Sequence, residues 1–181
     1  MKKLTAWIAV FLMSILSITL FLVVIGFRIN LTNSIPLGLY RITDIKNLKN
    51  AFVIFCPDDK PAFQEAWDRG YIDSGFCPGG YGYLMKKVVA CRGDKISVTD
   101  EGVFVNHGLI PFSKPIATDG INRPLPQWRT IDYQLKEDEI LTMTSQSKWS
   151  FDSRYYGPVS TKQIKGVLTP IWVKNNTGER A

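Results

Sequence analysis

A mainly β, antiparallel domain carried on one N-terminal transmembrane helix is the fold class that this 181-residue sequence predicts. Three observations lead there. Leu4 to Ile25 carries no charged residue, seven later segments alternate or run apolar over strand lengths, and turn signals rich in Gly, Pro and Asp separate them. The length suits one domain, and no internal repeat or low-complexity tract divides it.

The uncharged run comes first. Roughly 22 residues at about 1.5 Å rise span about 33 Å as a helix, which matches a hydrocarbon core. A cleaved secretory signal would have a shorter apolar core and small residues at a cleavage site, whereas the exit VVIGFRIN places Phe27 and Arg28 there. No polar stripe interrupts the run, so a retained anchor is also a better reading than a buried core helix. Lys2 and Lys3 precede it and favour a cytoplasmic N-terminus, although Arg28 on the far side weakens that bias. The chain is thus expected to divide into a cytoplasmic tip and anchor (1–28), an outer domain (29–174) and a flexible tail (175–181).

A short polar link containing Ser34 follows, and then the strand-like segments LGLYRIT, AFVIFC, GYLMKKVVAC, KISVTD, GVFVNHGLIPF, EILTMTS and GVLTPIWV. Turns are expected at Pro57-Asp58-Asp59, Pro78-Gly79-Gly80, Arg92-Gly93-Asp94, Asp119-Gly120 and Tyr156-Gly157-Pro158. His107, the single histidine, lies in Asn-His-Gly and reads as a hairpin turn residue. Pro61 to Arg69 suits a short helix, as does Thr161 to Ile164 with Ser160 or Thr161 as its cap.

Composition narrows the functions. The net charge of +6 is scattered, with no basic stripe interleaved with aromatics, so a nucleic-acid partner is not expected; attraction to anionic headgroups or plain solubility uses it better. Cys56 and Cys77 bracket about 20 residues, and an oxidising compartment would let them close this segment (56–77) as a disulfide-bonded insertion; two free thiols are the alternative. Cys91, beside Val-Val-Ala, reads as a buried structural thiol. No cysteine pair has finger-like spacing and only one histidine exists, so neither a metal nor a cofactor is expected.

The chemistry-bearing segments are TNSIP, YLMKKVVACRGDKISV, GVFVNHGLI and FDSRYYGPVS, in that order. In this order they resemble the type I signal peptidase superfamily, whose motifs include Ser-x-Pro, Lys-Arg-Val-Val-x-x-x-Gly-Asp and Asp-Ser-Arg-Tyr-x-Gly. The resemblance runs from the anchor to about residue 170 and implies a signal-peptidase-like antiparallel β domain. The stretches NSIPLGLYR and FCPGGYGYLMKK, and TSQSKWSFDSRYYG where the broader family has Gly-Asp-Asn, are most similar to its pilin-processing members from conjugative transfer systems.

That resemblance makes Ser34 the nucleophile and Lys86 the general base. The physics agrees: a hydroxyl needs a base, that base need not be histidine, and a lysine serves when burial in apolar surroundings keeps it neutral. Strand alternation turns Lys87 the other way. A snorkelling surface lysine is the plain reading of Lys86 without the serine motif. Asp152 matches the family's acidic position; it orients the lysine or a supporting serine, or it pairs with Arg154 to hold the loop. A carboxylate touching Lys86 would favour the charged amine, so an indirect contact is expected, with Ser150 or Ser153 against the lysine. The oxyanion donors expected are the Ser34 N–H and, by resemblance, Thr32, with Pro36 and Gly38 shaping the turn.

The expected function is that of a membrane-anchored serine endopeptidase that processes a conjugative pilin precursor. Cleavage could be coupled to head-to-tail cyclisation if the pilin's own amine accepts the acyl group. The expected place is a bacterial inner membrane, single-pass, with the catalytic domain periplasmic and Ser34 about nine residues beyond the apolar run, near the headgroups. The partners are then the lipid bilayer and a membrane-inserted pilin or preprotein. A general type I signal peptidase and a non-catalytic scaffold of a secretion or conjugation channel are the alternatives, and a scaffold has no reason to keep both Ser34 and Lys86.

Overall fold

Lys2–Val24 forms a helix, α1, in a computed structural model that describes residues 2–144 and 146–174. The tail expected at 175–181 lies outside the described residues. From Lys3 to Val24 the helix is apolar and unburied, as a lipid-facing helix must be, and this is consistent with a membrane anchor. Ser14 and Thr19 donate their hydroxyls to the carbonyls of Val10 and Ile15, so neither polar group is left unsatisfied along the helix.

The anchor passes into the domain with almost no linker. Gly26, at φ +93°, turns the chain, and strand β1 (Phe27–Asn30) begins at the next residue. Arg28 reaches back to donate to the carbonyls of Val23 and Phe27 at 2.8 and 2.7 Å, while Gly26 accepts from Ile42 N–H in the next strand. The strands β2 (Gly38–Thr43), β3 (Phe52–Phe55), β4 (Leu84–Ala90), β9 (Glu139–Met143), β10 (Val159–Ser160) and β11 (Ile164–Val173) complete a seven-stranded sheet ordered β1-β2-β11-β3-β4-β9-β10. A second, four-stranded sheet is ordered β7-β6-β5-β8, from β5 (Lys95–Val98), β6 (Val103–Val105), β7 (Gly108–Leu109) and β8 (Thr130–Gln134). Every strand pair in both sheets is antiparallel.

The mainly antiparallel β architecture agrees with the expectation, and the differences have local causes. The run through His107 is a hairpin, β6–β7, with Asn106 and His107 at φ +49° and +68°, the left-handed pair that a tight hairpin turn requires. Three strands are unexpected, one of them the two-residue β10 that pairs with β9. β1 continues the apolar exit of the anchor, so its sequence merges with the helix; β8 is the polar TIDYQ, which adds an edge to β5 and carries Asp132 at φ +49°.

Cys56 and Cys77 are joined in a disulfide, with Cα atoms 5.4 Å apart. The intervening helix α2 (Pro61–Asp68) buries Phe63 and Ala66 against Phe55, Val88 and Tyr156, so the insertion extends the core. Phe63 packs against Tyr156 with tilted rings, 4.5 Å between centroids. The second main cluster joins the two sheets through Ile96, Val98, Val103, Leu141 and Met143. In β2, Gly38 stands at φ +152° where a Cβ would lie 2.2 Å from the Trp172 carbonyl oxygen, so close pairing with β11 excludes a side chain there.

Candidate active site

Ser34 sits in the loop between β1 and β2, and a buried amide organises that loop. Asn30, the last residue of β1 and 4% exposed, donates through Nδ2 to the carbonyls of Thr32 (2.7 Å), Ile35 (2.8 Å) and Pro36 (3.2 Å). Its Oδ1 accepts from the backbone N–H and the hydroxyl of Thr32, at 3.3 and 2.9 Å. Tyr40 donates to the Pro36 carbonyl at 2.6 Å, and Ile35 is buried beside Tyr40 against β3 and β11. One side chain thus meets the loop's inward-facing polar groups, as a buried turn needs.

Lys86 lies in β4, where burial alternates and places it on the inner face with Val88 and Ala90 while Lys87 turns outward. At 3% exposure, its Nζ donates to Ser34 Oγ at 2.9 Å and to Ser150 Oγ at 2.6 Å. Burial pulls its pKa down from 10.5 to about 8; the charge of Asp152 opposes the fall and that of Arg154 adds to it. No carboxylate is hydrogen-bonded to the ammonium among the described residues, so a large fraction of Lys86 is neutral in mildly alkaline solution.

Asp152, Ser153 and Arg154 are all fully buried. Asp152 accepts from Arg154 Nε (2.8 Å) and Nη2 (2.9 Å) in a forked pair, and it caps the short helix α3 (Ser153–Tyr156) through Arg154 N–H. Arg154 also donates to the carbonyls of Phe112 and Lys114, at 2.9 and 3.2 Å, which fastens the loop after β7 to the site. Of the two serines expected near the lysine, Ser150 touches it; Ser153 Oγ instead accepts from Thr142 N–H at 3.0 Å and meets the Thr142 hydroxyl at 3.2 Å. Ser153 therefore supports β9 and not the lysine.

Thr32 also departs from expectation. Its hydroxyl donates to Asn30 Oδ1, so a role at the oxyanion would require that bond to break. Two further contributors were not anticipated: Asn30, and Thr144, whose hydroxyl donates to the Asn33 carbonyl at 3.2 Å. The Asn-x-Thr spacing of residues 30–32 is a local cue to a side-chain-closed turn, but Thr144 is 111 residues from its partner and leaves no such trace.

Ser34 and Lys86 open onto a cleft of about 660 Å³. Its apolar lining comes from Ile29, Leu31, Leu84, Met85, Trp149 and Phe151. Tyr71, at the end of the insertion, donates to Asp119, which also accepts from Arg123 Nε at 2.6 Å; this clip joins the insertion to the loop 116–125 at the cleft's rim. The last β4 residue paired with β9 in this direction is Lys87, opposite Met143, so β9 does not cover the Leu84–Met85 edge beside the cleft. Asp94, from the Gly-Asp turn, lies elsewhere, accepting from Cys91 N–H, Asn106 and Lys49 to hold the β4–β5 turn. Among the described residues no group of three or more His, Cys, Asp or Glu is placed to hold a metal ion.

The sequence is similar to those of known proteins. Residues 1–173 match the family described as signal peptidase, peptidase S26. Two plasmid transfer proteins TraF from Escherichia coli are each 47% identical over 146 residues, covering 81% of this chain and 82% of theirs. The conjugal transfer protein TraF of Agrobacterium fabrum is 33% identical over 149 residues, with the same shares covered. A crystal structure of a signal peptidase I from Enterococcus faecalis superposes with a TM-score of 0.39 at 17% identity, covering 70% of this chain and all of that one.

Proposed function

The chain belongs to the signal peptidase family, peptidase S26, and on that premise we propose that it is a membrane-anchored serine endopeptidase whose nucleophile is Ser34 and whose general base is Lys86. One observation carries the reading: a lysine amine, buried and drawn down to about 8, lies 2.9 Å from a serine hydroxyl at the floor of an open cleft. Neutral Lys86 takes the Ser34 proton as Oγ attacks the scissile carbonyl, then returns it to the leaving amine, and an acyl-enzyme remains. Ser150 holds the amine in place, and the Ser34 N–H receives the oxyanion. An extended substrate aligned with the uncovered Leu84–Met85 edge would bring its carbonyl to Ser34.

The substrate proposed is a conjugative pilin precursor, because several similar proteins are named for plasmid or conjugal transfer. The anchor and the disulfide support a place in the inner membrane with the domain on the periplasmic, oxidising side. Either water or the pilin's own N-terminal amine can accept the acyl group, since the dyad activates both alike. The intact mass of the processed pilin distinguishes these, a cyclic product being lighter by one water than its linear counterpart. Processing of the precursor by the wild-type chain and none by Ser34→Ala is the expected result; equal processing by both overturns the assignment. Cleavage of unrelated exported precursors, with the pilin untouched, would favour a general signal peptidase.

The pH dependence follows from the lysine. Only neutral Lys86 is competent, so kcat/KM should rise along a one-proton limb centred near 8 and level off above it. A profile flat from pH 6 to 9 (on the order of three pH units) would remove Lys86 from the base role.

A further inference from the structure

Thr144 follows the last residue of β9 and is 1% exposed, yet it belongs to no hydrophobic cluster. Its N–H and its hydroxyl are both committed. Its N–H donates to Asp152 Oδ2 at 3.4 Å, its hydroxyl oxygen accepts from Gln146 N–H at 3.1 Å, and its hydroxyl proton goes to the Asn33 carbonyl at 3.2 Å. Asp152 is in turn gripped by both arms of Arg154. A rigid line therefore runs from the buried ion pair, through Thr144, to the peptide that joins Asn33 to Ser34.

That peptide contains the oxyanion donor. No peptide bond in the described chain is cis, and in a trans peptide the carbonyl and the following N–H point in opposite directions. Anchoring the Asn33 carbonyl on Thr144 consequently turns the Ser34 N–H away from β9. Among the described residues no acceptor takes that N–H. A donor bound to the carbonyl also polarises the amide and strengthens what the N–H can give. Nothing else is hydrogen-bonded to the Asn33 carbonyl among the described residues; Asn30 holds the carbonyls of Thr32, Ile35 and Pro36 but leaves this one to Thr144.

We propose that Thr144 is a positioning residue of the reaction: its hydroxyl holds the Asn33–Ser34 peptide so that the Ser34 N–H is aimed at the developing oxyanion before substrate arrives. The proposal rests on the Ser34/Lys86 reading above. It also gives Asp152 an indirect route to catalysis, through the backbone of residue 144, without contact with the lysine.

The test uses the full-length protein in detergent with the pilin precursor that the wild-type chain processes. Thr144→Val keeps the side-chain volume and the N–H bonded to Asp152 but removes the hydroxyl. It should lower kcat roughly 10- to 100-fold, the scale expected for a misaimed oxyanion donor, with KM within about threefold of wild type. The acid limb near pH 8 should stay in place, because Lys86 keeps Ser34 and Ser150. Thr144→Ser, which retains the hydroxyl, should recover kcat to within about threefold of wild type. If valine lowers the melting temperature, Thr144→Ala, assayed where it is folded, carries the same expectation. Wild-type kcat in the valine or alanine variant, a displaced pH limb, or no recovery with serine would each overturn the proposal. The two readings fail separately: an active Ser34→Ala enzyme ends the dyad, whereas an inactive Ser34→Ala beside a fully active Thr144→Val ends only this inference.

Discussion

Lys86→Met should abolish precursor processing, with a fall in kcat of at least about 10⁴-fold, because methionine fills the same volume without any basic atom. Lys87→Ala, on the opposite face of β4, should remain within about twofold of wild type, and accumulation of processed pilin in cells measures both. The same variant carries a stability signature. The folded pKa of Lys86 lies below its unfolded value, so the unfolded chain binds the extra proton between about 8 and 10.5, and wild-type stability rises with pH through that window. Below it the wild type bears the whole penalty of a buried amine, about 3 kcal/mol for a fall from 10.5 to about 8. The hydrogen bonds lost to Ser34 and Ser150 offset about 1 kcal/mol each. Lys86→Met should therefore gain on wild type in acid and lose that gain as pH rises from about 8 to 10.5, as chemical denaturation at pH 7 and pH 10.5 will read. A pH-independent difference would place the lysine in solvent.

The second large effect is expected at Arg154. Arg154→Met leaves the fully buried Asp152 carboxylate without its forked partner, and frees the carbonyls of Phe112 and Lys114. Loss of one member of a buried pair typically destabilises by about 3 to 5 kcal/mol. Activity should change in a direction that a general loss of stability does not produce. Arg154 helps to depress the Lys86 pKa while Asp152 raises it, so removing the guanidinium moves the acid limb to higher pH, and Asp152→Asn moves it to lower pH. Denaturant melts combined with pH–rate profiles on both variants check this, and limbs that shift in the same direction would contradict it.

How much of this was legible in the sequence depends on range. The uncharged run, the turn at His107 and the alternation that buries Lys86 and turns Lys87 to the other face are local patterns, and each appears where the local sequence put it. The proximity of Ser34 and Lys86 came from resemblance, since no physical rule links residues 52 apart. Resemblance places Thr32 at the oxyanion, and its hydroxyl has a partner in Asn30, a competition that spacing alone does not decide. The choice between Ser150 and Ser153 turned on strand and helix geometry: Asp152 caps α3, which carries Ser153 round toward Thr142 and leaves Ser150 facing the lysine. Thr144, and the clip of Tyr71 on Asp119, are long-range contacts with no local signature.

The abrupt passage from α1 into β1 gives the protein a fixed ruler. Gly26 is bonded into β2 and Arg28 grips the final helical turn, so these contacts oppose free swinging of the domain about the end of the helix. If α1 spans a membrane and the domain cuts as proposed, this junction sets the height of the cut above the lipid. On that reading a bond deeper in a candidate polypeptide would stay uncut unless that polypeptide were drawn outward, so selection by depth would precede any selection by side chain.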